Sequence, residues 1–550
     1  MSTDQTEQIT IEQILAEPFG VASIEAAALW QLDDPVRYGV LIGALGEGDL
    51  LTARRLADWK ASVRIVYRAL RDARREEERV AKREEARKIV DGAIDEGRPV
   101  FERGSNAELA RRLYKHYQSP QGVPPATGYG DLWAYEDQRG LWSRVDSESL
   151  SVTVQSWDGS LISPPEGAPE IGQLRTLQIN SELAACRMAL ALSGAFGQGP
   201  EWFEDPPRGL AFADQHLMVT GIGDHTRLER AAHSPEHRLK VGFDFSLPTQ
   251  REHTPLFEQY LESIWAGCPD MEDRQRFLQE FAGASLVGVA PLFGRALILT
   301  GKKGTGKGTL IKVLDGLFPE GAVSHVKPHE WEDDSKVYDL AWARFNSVYE
   351  LNIQNPINDS TRIKEIVFGE PVQIRPPYRA NAMSLRCQAG HLFSANRLPR
   401  IYGGDDALWD RWAVLEMDGR DWRASSSRIK DLDQLIIEQE LPGVVAWALE
   451  GAHRLLRQGE YTWPESVRAK LQAWKEEADP VAEWFAERCE PSDDETKGLV
   501  LFNDFCAWAV ERKYGQLGQR TFYDRLETHC PVRRGTKHGT VFSAKLIGAA

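Results

Sequence analysis

The first hundred residues carry apolar side chains at the three- and four-residue spacing of a helix. Residues 53–94 form a long, heavily charged stretch of this pattern. Opposite charges interleaved at the same spacing suit a solvated helix face or a helical pair, so we interpret the stretch as a spacer or assembly segment rather than a DNA contact. Pro99 and Gly104 end it. The pattern predicts a charged helical region over residues 1–104.

Residues 105–255 mix helical and strand-like periodicity. Residues 107–117 have helical spacing, whereas 132–136 and 141–145 alternate as two strands across a turn. Apolar segments separated by turn residues continue to residue 246. We therefore predict an α+β module that has its own core.

Two histidines in this module, His233 and His237, lie four residues apart. That spacing can display a pair of metal ligands on one helix face, but Pro235 between them argues against a regular helix. The sequence offers no evident third ligand, so we do not predict a metal there.

The chain is organised around a strand, loop and helix pattern. Residues 296–299 form a strand-like apolar run, a glycine-rich turn follows, and a helical apolar pattern begins at Leu310. The turn fits the P-loop motif GxxxxGK, in which backbone N–H groups and the helix N-terminus hold a polyphosphate and the lysine reaches the β- and γ-phosphates. Gly308 stands where a serine or threonine completes the motif. The predicted phosphate contacts come from Gly301, Gly304, Thr305, Gly306, Lys307, Gly308 and Thr309.

Three polar residues accompany later strand-like runs. Glu350 follows the run that begins at Phe345, where a carboxylate can orient or deprotonate the water that attacks a γ-phosphate, or hold Mg²⁺ through water. Asn396 ends the next run and can hydrogen-bond the γ-phosphate or its water. Arg411 precedes a fourth run and is a candidate arginine finger, which stabilises transition-state charge on the nucleotide of a neighbouring subunit.

Composition fits a soluble protein of several domains. With 550 residues, 42% of them hydrophobic and 27% charged, the chain is expected to form three or four domains. It has no run of about 18 apolar residues and no basic segment followed by an apolar one at its start, which predicts a cytoplasmic protein without a membrane span. Six cysteines without CxxC spacing predict neither a zinc ribbon nor a disulfide framework.

The net charge of −16 argues against a polyanionic partner for the chain as a whole, but nucleic-acid contact needs only a local basic surface. From residue 517 to residue 550, six lysines and arginines stand against two acidic residues. Two helical patterns, 499–512 and 518–527, precede a basic hairpin pattern at 532–543. This order predicts a winged helix, and a small protein-interaction domain of the same shape is the alternative.

As a winged helix, the tail would bind DNA. Its second helix would be a recognition helix that exposes Arg520 and Arg525. The hairpin would add Arg533 and Arg534.

The middle of the chain resembles the superfamily 3 helicase domain of phage and plasmid primase-helicases, which is related to the poxvirus primase-helicase. The resemblance covers about residues 256–420, extends weakly over 105–250 and reappears in the tail from Asp479. The motifs that carry it are the P-loop ending Gly306-Lys-Gly-Thr309, Val348-Tyr-Glu-Leu-Asn352, Lys364-Glu-Ile-Val-Phe-Gly369 with the following stretch to Arg375, Asn396-Arg-Leu-Pro-Arg400, and Trp409-Asp-Arg-Trp412.

The resemblance implies an α/β fold with a P-loop, AAA+-like superfamily 3 ATPase core over 256–478 and a winged helix over 479–550. It implies that Lys307 binds phosphate, Glu350 is the Walker B acid, Asn396 is sensor 1 and Arg411 is the finger. Thr309 and Glu350 become the candidate Mg²⁺ ligands, although Gly308 and the single Walker B acid depart from the wider pattern. Family members form ring hexamers with a DNA-gripping hairpin, which here would present Arg375, Tyr378 and Arg379.

We therefore expect an ATP-dependent 3′-to-5′ DNA helicase for a phage, prophage or mobile element. It would act as a homohexamer on single-stranded and forked DNA, with a replication initiator or primase as a candidate partner. Its own primase activity is not expected, because the first 250 residues show no DxD pair to hold two metal ions. The alternatives are an ATP-controlled DNA-binding assembly protein and, since small kinases share the GKGT ending, a phosphotransferase. Small kinases usually carry that loop near the chain start.

Overall fold

The computed structural model describes residues 9–46, 51–128, 131–163, 171–173, 206–221, 223–248, 253–351, 357–358, 361–375, 382–399, 401–402, 406–419, 428–477, 479–512, 514, 517–535 and 539–547. The chain divides into two compact units. The first comprises Met1–Leu113 and Ser147–Leu190, and the second comprises Tyr114–Asp146 and Ala191–Ala550. The domain boundaries at 104, 255 and 478 stay predictions.

The described helices are α1 Ile11–Ala16, α2 Val21–Asp33, α3 Pro35–Gly46, α4 Ala53–Asp95, α5 Asn106–Tyr117, α6 Ser147–Gln155, α7 Pro255–Ile264, α8 Met271–Val287, α9 Ala290–Phe293, α10 Lys307–Gly316, α11 Asp334–Asp339, α12 Thr361–Phe368, α13 Asp406–Trp409, α14 Leu432–Gln458, α15 Glu465–Glu477, α16 Pro480–Arg488, α17 Gly498–Glu511 and α18 Gln519–Leu526.

The described strands are β1 Val100–Phe101, β2 Ala126–Gly128, β3 Asp131–Glu136, β4 Leu141–Val145, β5 Leu161–Ile162, β6 Gly172–Gln173, β7 Gly209–Ala211, β8 His216–Thr220, β9 Arg227–Ala231, β10 Ala296–Thr300, β11 Val323–Ser324, β12 Phe345–Val348, β13 Ile357–Asn358, β14 Pro371–Ile374, β15 Met383–Arg386, β16 Gly390–Ala395, β17 Ile401–Tyr402, β18 Trp412–Glu416, β19 Cys489–Lys497, β20 Val532–Gly535 and β21 Gly539–Leu546.

In the first unit, helices α2, α3 and α4 pack around a small core that includes the buried indoles of Trp30 and Trp59. Trp59 donates its ring N–H to the carbonyl oxygen of Pro18 at 2.8 Å, which ties the long helix to the short ones. Helix α4 runs for 43 residues, and most of its side chains are exposed. Neighbouring opposite charges pair along it, as Arg79 does with Glu76. The predicted charged helix is therefore present.

The second unit is built on a five-stranded parallel sheet in the order β11-β12-β16-β10-β18. Every residue of β10, β12 and β16 is buried, as expected for parallel strands that are covered on both faces. Alternate residues of β10 enter different cores. Leu297 packs with α7, α8, α10 and α14, whereas Ile298 packs with α11, α12 and the indole of Trp412.

Two small antiparallel sheets of the second unit precede this core in the chain, β2-β3-β4 and β7-β8-β9. The hairpin predicted from the alternation at 132–136 and 141–145 is confirmed, with Leu132 opposite Val145 and Glu136 opposite Leu141. Strand β4 is joined to the segment that follows β9, because Trp142 donates its main-chain N–H to the carbonyl oxygen of Leu239 at 2.8 Å.

The C-terminal segment runs helix, strand, helix, helix and hairpin, from α16 through β19, α17 and α18 to β20 and β21. Its strands form a three-stranded sheet in the order β19-β21-β20. Its core contains the buried rings of Trp484, Phe505, Trp508, Phe522 and Phe542. Within the described part of the whole chain, no helix combines the length and the apolar character that a membrane crossing requires.

Candidate active site

The glycine-rich loop follows β10 at the carboxyl edge of the parallel sheet. Gly301, Gly304 and Gly306 have φ values of 141°, 93° and 100°, a region that side chains other than glycine rarely adopt. A Cβ at Gly301 would also overlap the carbonyl oxygen of Met417, which follows the adjacent strand β18. Helix α10 begins directly after the loop, at Lys307. The glycines are therefore required by the loop's path.

Lys307 is buried and lies over the loop. Its Nζ donates to the carbonyl oxygens of Gly301 at 2.6 Å and Lys302 at 2.9 Å. Burial lowers the pKa of Lys307, and the charge of Glu350 acts in the opposite direction. The Thr305 hydroxyl also donates to the carbonyl of Lys302, at 2.9 Å. Both side chains thus hold the loop in a curled form with the ammonium group at its centre.

Glu350 and Asn396 meet at the same edge of the sheet. They follow the neighbouring parallel strands β12 and β16, in which Val348 pairs with Phe393. The Asn396 side-chain amide donates to Glu350 Oε1 at 3.0 Å. Both side chains are exposed to solvent. Residues that are 46 positions apart in the chain therefore act as one polar pair facing the loop.

A cavity of about 750 Å³ joins the loop to this pair, a volume within the usual range for small-molecule sites. The predicted residues that line it are Gly304, Gly306, Lys307, Gly308, Thr309, Glu350 and Asn396. Helix α7 and residues 428–433 form another wall. The cavity thus brings together the loop, the carboxylate and the amide that the sequence pattern singled out.

The predicted Mg²⁺ ligands fit that ion by chemistry. The Thr309 hydroxyl and the Glu350 carboxylate line the one cavity, and Mg²⁺ prefers oxygen ligands. At Gly308 a Cβ would have no neighbour within 4 Å, so the position has space for a side chain but supplies no hydroxyl.

Tyr260 is a loop contact that sequence reasoning missed. Its buried hydroxyl donates to the carbonyl oxygen of Gly306 at 2.9 Å. Helix α7, which carries it, is fixed by Glu440, whose carboxylate accepts from the main-chain N–H groups of Leu256 and Phe257, both at 2.9 Å. The only sequence signal was the apolar face of α7, which predicts burial but not the partner.

Tyr349 is a second missed residue. It directly precedes Glu350, lines the cavity, and donates its hydroxyl to Asp315 Oδ2 on α10 at 2.7 Å. Position 349 is thus occupied by a phenol that is hydrogen-bonded to the helix after the glycine-rich loop.

Arg411 lies away from this cavity. It immediately precedes β18, and its carbonyl oxygen accepts from the N–H of Ala296, the first residue of β10, at 2.7 Å. Since β10 and β18 are parallel, Arg411 sits at the amino edge of the sheet and the glycine-rich loop at the carboxyl edge. Its guanidinium stacks 3.8 Å above the ring of Phe368. Arg411 therefore does not line the cavity beside the glycine-rich loop of its own chain.

The predicted DNA-gripping hairpin is partly within the described residues. Strands β14 and β15 pair from Pro371 with Arg386 to Ile374 with Met383. Arg375 follows β14 with an exposed side chain, and its main-chain N–H donates to Asp334 Oδ2 at 2.8 Å. Two further predicted contacts, Tyr378 and Arg379, lie outside the described residues.

The two arginines predicted on helix α18 differ in exposure. Arg520 is exposed in the first turn. Arg525 is only 24% exposed, because its Nη1 lies 3.3 Å from Asp479 Oδ1. Asp479 also caps α16 by accepting from the main-chain N–H of Val481 at 3.0 Å. The expectation that Arg525 is displayed to solvent is therefore corrected, since it closes an ion pair that holds α16 and α18 together.

The basic hairpin of the tail is formed by β20 and β21. Arg533 is 72% exposed and pairs with Glu495 at 2.6 Å. Arg534 is in β20 opposite Thr540, and its side chain lies outside the described residues.

The histidines of the upstream module form a hydrogen-bonded cluster. His216 lies beside His233 and His237, the two histidines noted in the sequence. Its Nδ1 is 2.8 Å from Nδ1 of His237, and its Nε2 is 2.6 Å from the carbonyl oxygen of Gly140. The ring of His233 packs against His216. Burial lowers the pKa of His216 to about 4. Across the described residues no three or more His, Cys, Asp and Glu side chains are arranged to hold a metal ion.

Comparison with known proteins gives two kinds of match. Residues 299–411 match the model of a family of unknown function, DUF5906. The matched segment begins at the end of β10 and closes at Arg411, so it contains the loop and the Glu350–Asn396 pair. No curated protein matches the chain.

Two solved structures of the NrS-1 C-terminal region are similar to the chain. The A form apo structure has 14% identity and a TM-score of 0.40, and the match covers 68% of this chain and 79% of that one. A second apo structure has 15% identity and a TM-score of 0.31, with 54% of this chain and 77% of that one covered.

Proposed function

We propose that the chain is an ATP hydrolase that works as a DNA helicase. The observation that carries this proposal is the convergence of Lys307, Glu350 and Asn396 on one cavity at the carboxyl edge of a parallel sheet. The strand order supports an AAA+-like core, because β10, which precedes the loop, lies between β18 and β16, and β12 is one place further out. Asn396 follows β16, and Glu350 follows β12.

Each residue has a role that its position supports. Lys307 and the loop N–H groups would neutralise the β- and γ-phosphates, because preorganised donors stabilise the charge that develops in phosphoryl transfer. Glu350 would orient the attacking water as a general base. Asn396 would hold Glu350 in position through the 3.0 Å hydrogen bond. Mg²⁺, held by Thr309 and Glu350, would supply further charge neutralisation when bound.

The location of Arg411 favours action in a ring. It is on the sheet edge opposite the P-loop of its own chain. A finger at that edge can reach only the nucleotide of another subunit, as the proposed homohexamer requires. The ring size and the 3′-to-5′ direction rest on the superfamily 3 resemblance.

DNA contact would come from two places. The β14–β15 hairpin, with Arg375, Tyr378 and Arg379, would grip a single strand. The helix, strand, helix, helix and hairpin order of the tail supports a winged helix in which Arg520, Arg533 and Arg534 contact phosphates. Replication of a phage, prophage or mobile element, with an initiator or primase partner, remains the setting we propose.

The decisive experiment measures ATP turnover with and without single-stranded DNA while light scattering follows the particle mass. We expect DNA-stimulated turnover by a hexamer-sized particle, and its loss in Lys307→Ala. Lys336→Ala, an exposed lysine on α11, is the matched control and should keep full activity. A monomer without a DNA response would contradict the helicase and direct attention to phosphoryl transfer to small acceptors.

A second candidate is an ATP-controlled DNA-binding assembly protein with little unwinding. Gly308 supplies no hydroxyl, and Tyr349 stands beside Glu350 where many ATPases have a second acid, so the predicted Mg²⁺ shell departs from the wider ATPase pattern. Glu350→Gln separates the two candidates. A helicase variant would bind ATP but stop unwinding, whereas an assembly protein would retain its DNA function.

A further inference from the structure

A second cavity lies at the amino edge of the parallel sheet, far from the P-loop. Its volume is about 360 Å³, and its walls come from β3, β4 and residues 206–207, 240–241, 319–322, 341–344 and Gln388. One acidic residue, the exposed Glu320, is among them. Residues 341–344 immediately precede β12, whose other end leads to Glu350. At about 3.3 Å per residue, the six positions from Arg344 to Glu350 span roughly 20 Å. The two cavities are therefore separate sites at opposite ends of one strand.

Indole rings form the wall of this cavity and cations lie over them. Trp133 and Trp342 have ring centroids 5.2 Å apart. The Nζ of Lys240 is 4.8 Å from the centroid of Trp133 and 5.6 Å from that of Trp342. The guanidinium of Arg144 is 5.4 Å from the centroid of Trp342. Such contacts place positive charge beside flat aromatic surfaces. Burial and the charges of Arg344 and Arg238 lower the pKa of Lys240 to about 7, and a bound phosphate would favour its protonated form.

Arg344 adds a third cation to the same cavity, and it is fully buried. Its described hydrogen-bond acceptors are neutral main-chain carbonyls, those of Pro207 at 2.9 Å and Gly209 at 3.5 Å. A buried charge usually has a partner of opposite charge, because desolvation is costly. Burial and the neighbouring charge of Arg208 lower the pKa of Arg344 to about 9. Three basic side chains therefore line the cavity against one carboxylate, that of the exposed Glu320, and this balance favours an anionic ligand.

We propose that this cavity binds one nucleotide unit, with its phosphate between Lys240 and Arg144 and its base against Trp342. Cations and indoles side by side suit a ligand that is both anionic and flat, and stacking of a base on an aromatic ring is tolerant of sequence. The volume is at the lower end of the range for small-molecule sites, which fits a single unit. The unit could come from a free mononucleotide or from single-stranded DNA, which share this chemistry.

Binding is measured in a Lys307→Ala background, so that the proposed ATP site does not contribute. The probes are thymidine 5′-monophosphate and an oligothymidylate. Isothermal titration calorimetry measures the affinity of each. We expect Lys240→Met and the exposed Arg144→Ala each to weaken binding about tenfold or more, since each removes a charged hydrogen-bond donor. Lys240→Arg should retain binding. The matched control is Arg227→Ala, a 70% exposed arginine of the same module that lies outside the cavity.

Binding of both probes that is weakened in Lys240→Met would identify a free-nucleotide site. Binding of the oligothymidylate alone would identify a strand contact at this cavity if Lys240→Met and Arg144→Ala weaken it, because the hairpin and the tail are unchanged in these variants. Trp342→Phe should remove the change in tryptophan fluorescence in either case. Absence of binding by both probes, or affinities that are equal in all variants with native circular dichroism, would overturn the proposal. ATP turnover is measured separately on the chain with Lys307 intact, so failure here leaves the proposed function standing.

Discussion

Replacing Tyr260 with phenylalanine tests how the P-loop is held. The hydroxyl of Tyr260 is the described side-chain donor to the carbonyl oxygen of Gly306, at 2.9 Å. Burial raises the pKa of Tyr260, so the hydroxyl stays protonated and available as a donor at any ordinary pH. Phenylalanine fills the same space without the hydroxyl, so the change deletes one hydrogen bond and leaves no cavity.

The free-energy cost of Tyr260→Phe depends on the hydrogen bonds that the Gly306 carbonyl oxygen keeps. The carbonyl oxygen of Gly306 also accepts from the main-chain N–H of Leu310 at 3.0 Å, so it is not left wholly without a partner. The loss should therefore be near the net value of one hydrogen bond, about 1 kcal/mol, rather than the larger cost of an unsatisfied buried group. That free energy corresponds to a roughly fivefold change in an equilibrium constant.

Hydrogen exchange of the loop and the first turn of α10 is the direct assay, because it reports local opening. We expect roughly fivefold faster exchange in Tyr260→Phe and a similar loss of ATP affinity. Tyr461→Phe is the control, since Tyr461 is also buried and its hydroxyl has no hydrogen-bond partner among the described atoms. Unchanged exchange and affinity in Tyr260→Phe, or equal effects in both variants, would refute the reasoning.

Three further predictions concern the loop, pH and the tail. Gly301→Ala should abolish ATP binding, because the φ of 141° at Gly301 and its close approach to the carbonyl oxygen of Met417 exclude a Cβ. Gly308 is in open space, so Gly308→Ala should bind ATP normally in the same titration. The pKa of His216 is about 4 in the folded chain against an ordinary 6.5, so the unfolded chain takes up the proton first as pH falls. The free energy of unfolding should therefore be highest above pH 6.5 and should fall by roughly 3 kcal/mol at most as the pH approaches 4. His216→Gln should make the free energy of unfolding less dependent on pH in this range. Arg520→Ala should weaken DNA binding, measured by fluorescence anisotropy, without changing the melting temperature. Arg525→Ala should lower the melting temperature of the tail, measured by calorimetry. The opposite pattern would contradict the exposures assigned to the two arginines.

Local signals in the sequence were enough for the strand, loop and helix around Lys307. The apolar run, the glycines and the lysine are contiguous, and Gly301, Gly304 and Gly306 are required by the backbone of their own segment. The hairpin at 132–145 could likewise be predicted, because the alternation of apolar and polar residues and the turn between the strands are properties of adjacent residues. The roles of Glu350 and Asn396 were inferred from strand ends, and their contact followed once the two strands were neighbours.

What only the tertiary structure decided depends on residues that are far apart in the chain. The spacing of Tyr260 predicts a buried face but not the loop carbonyl 46 residues away. His216 lies 21 residues from His237, and Arg525 lies 46 residues from Asp479, so neither partner was visible in a local pattern. The sequence by itself determined the glycine-rich loop between strand and helix, because the residues that form it are consecutive in the chain. The sheet order decided which polar side chains share its cavity and which, like Arg411, face the opposite edge, because parallel pairing brings strand ends together irrespective of their separation in the chain.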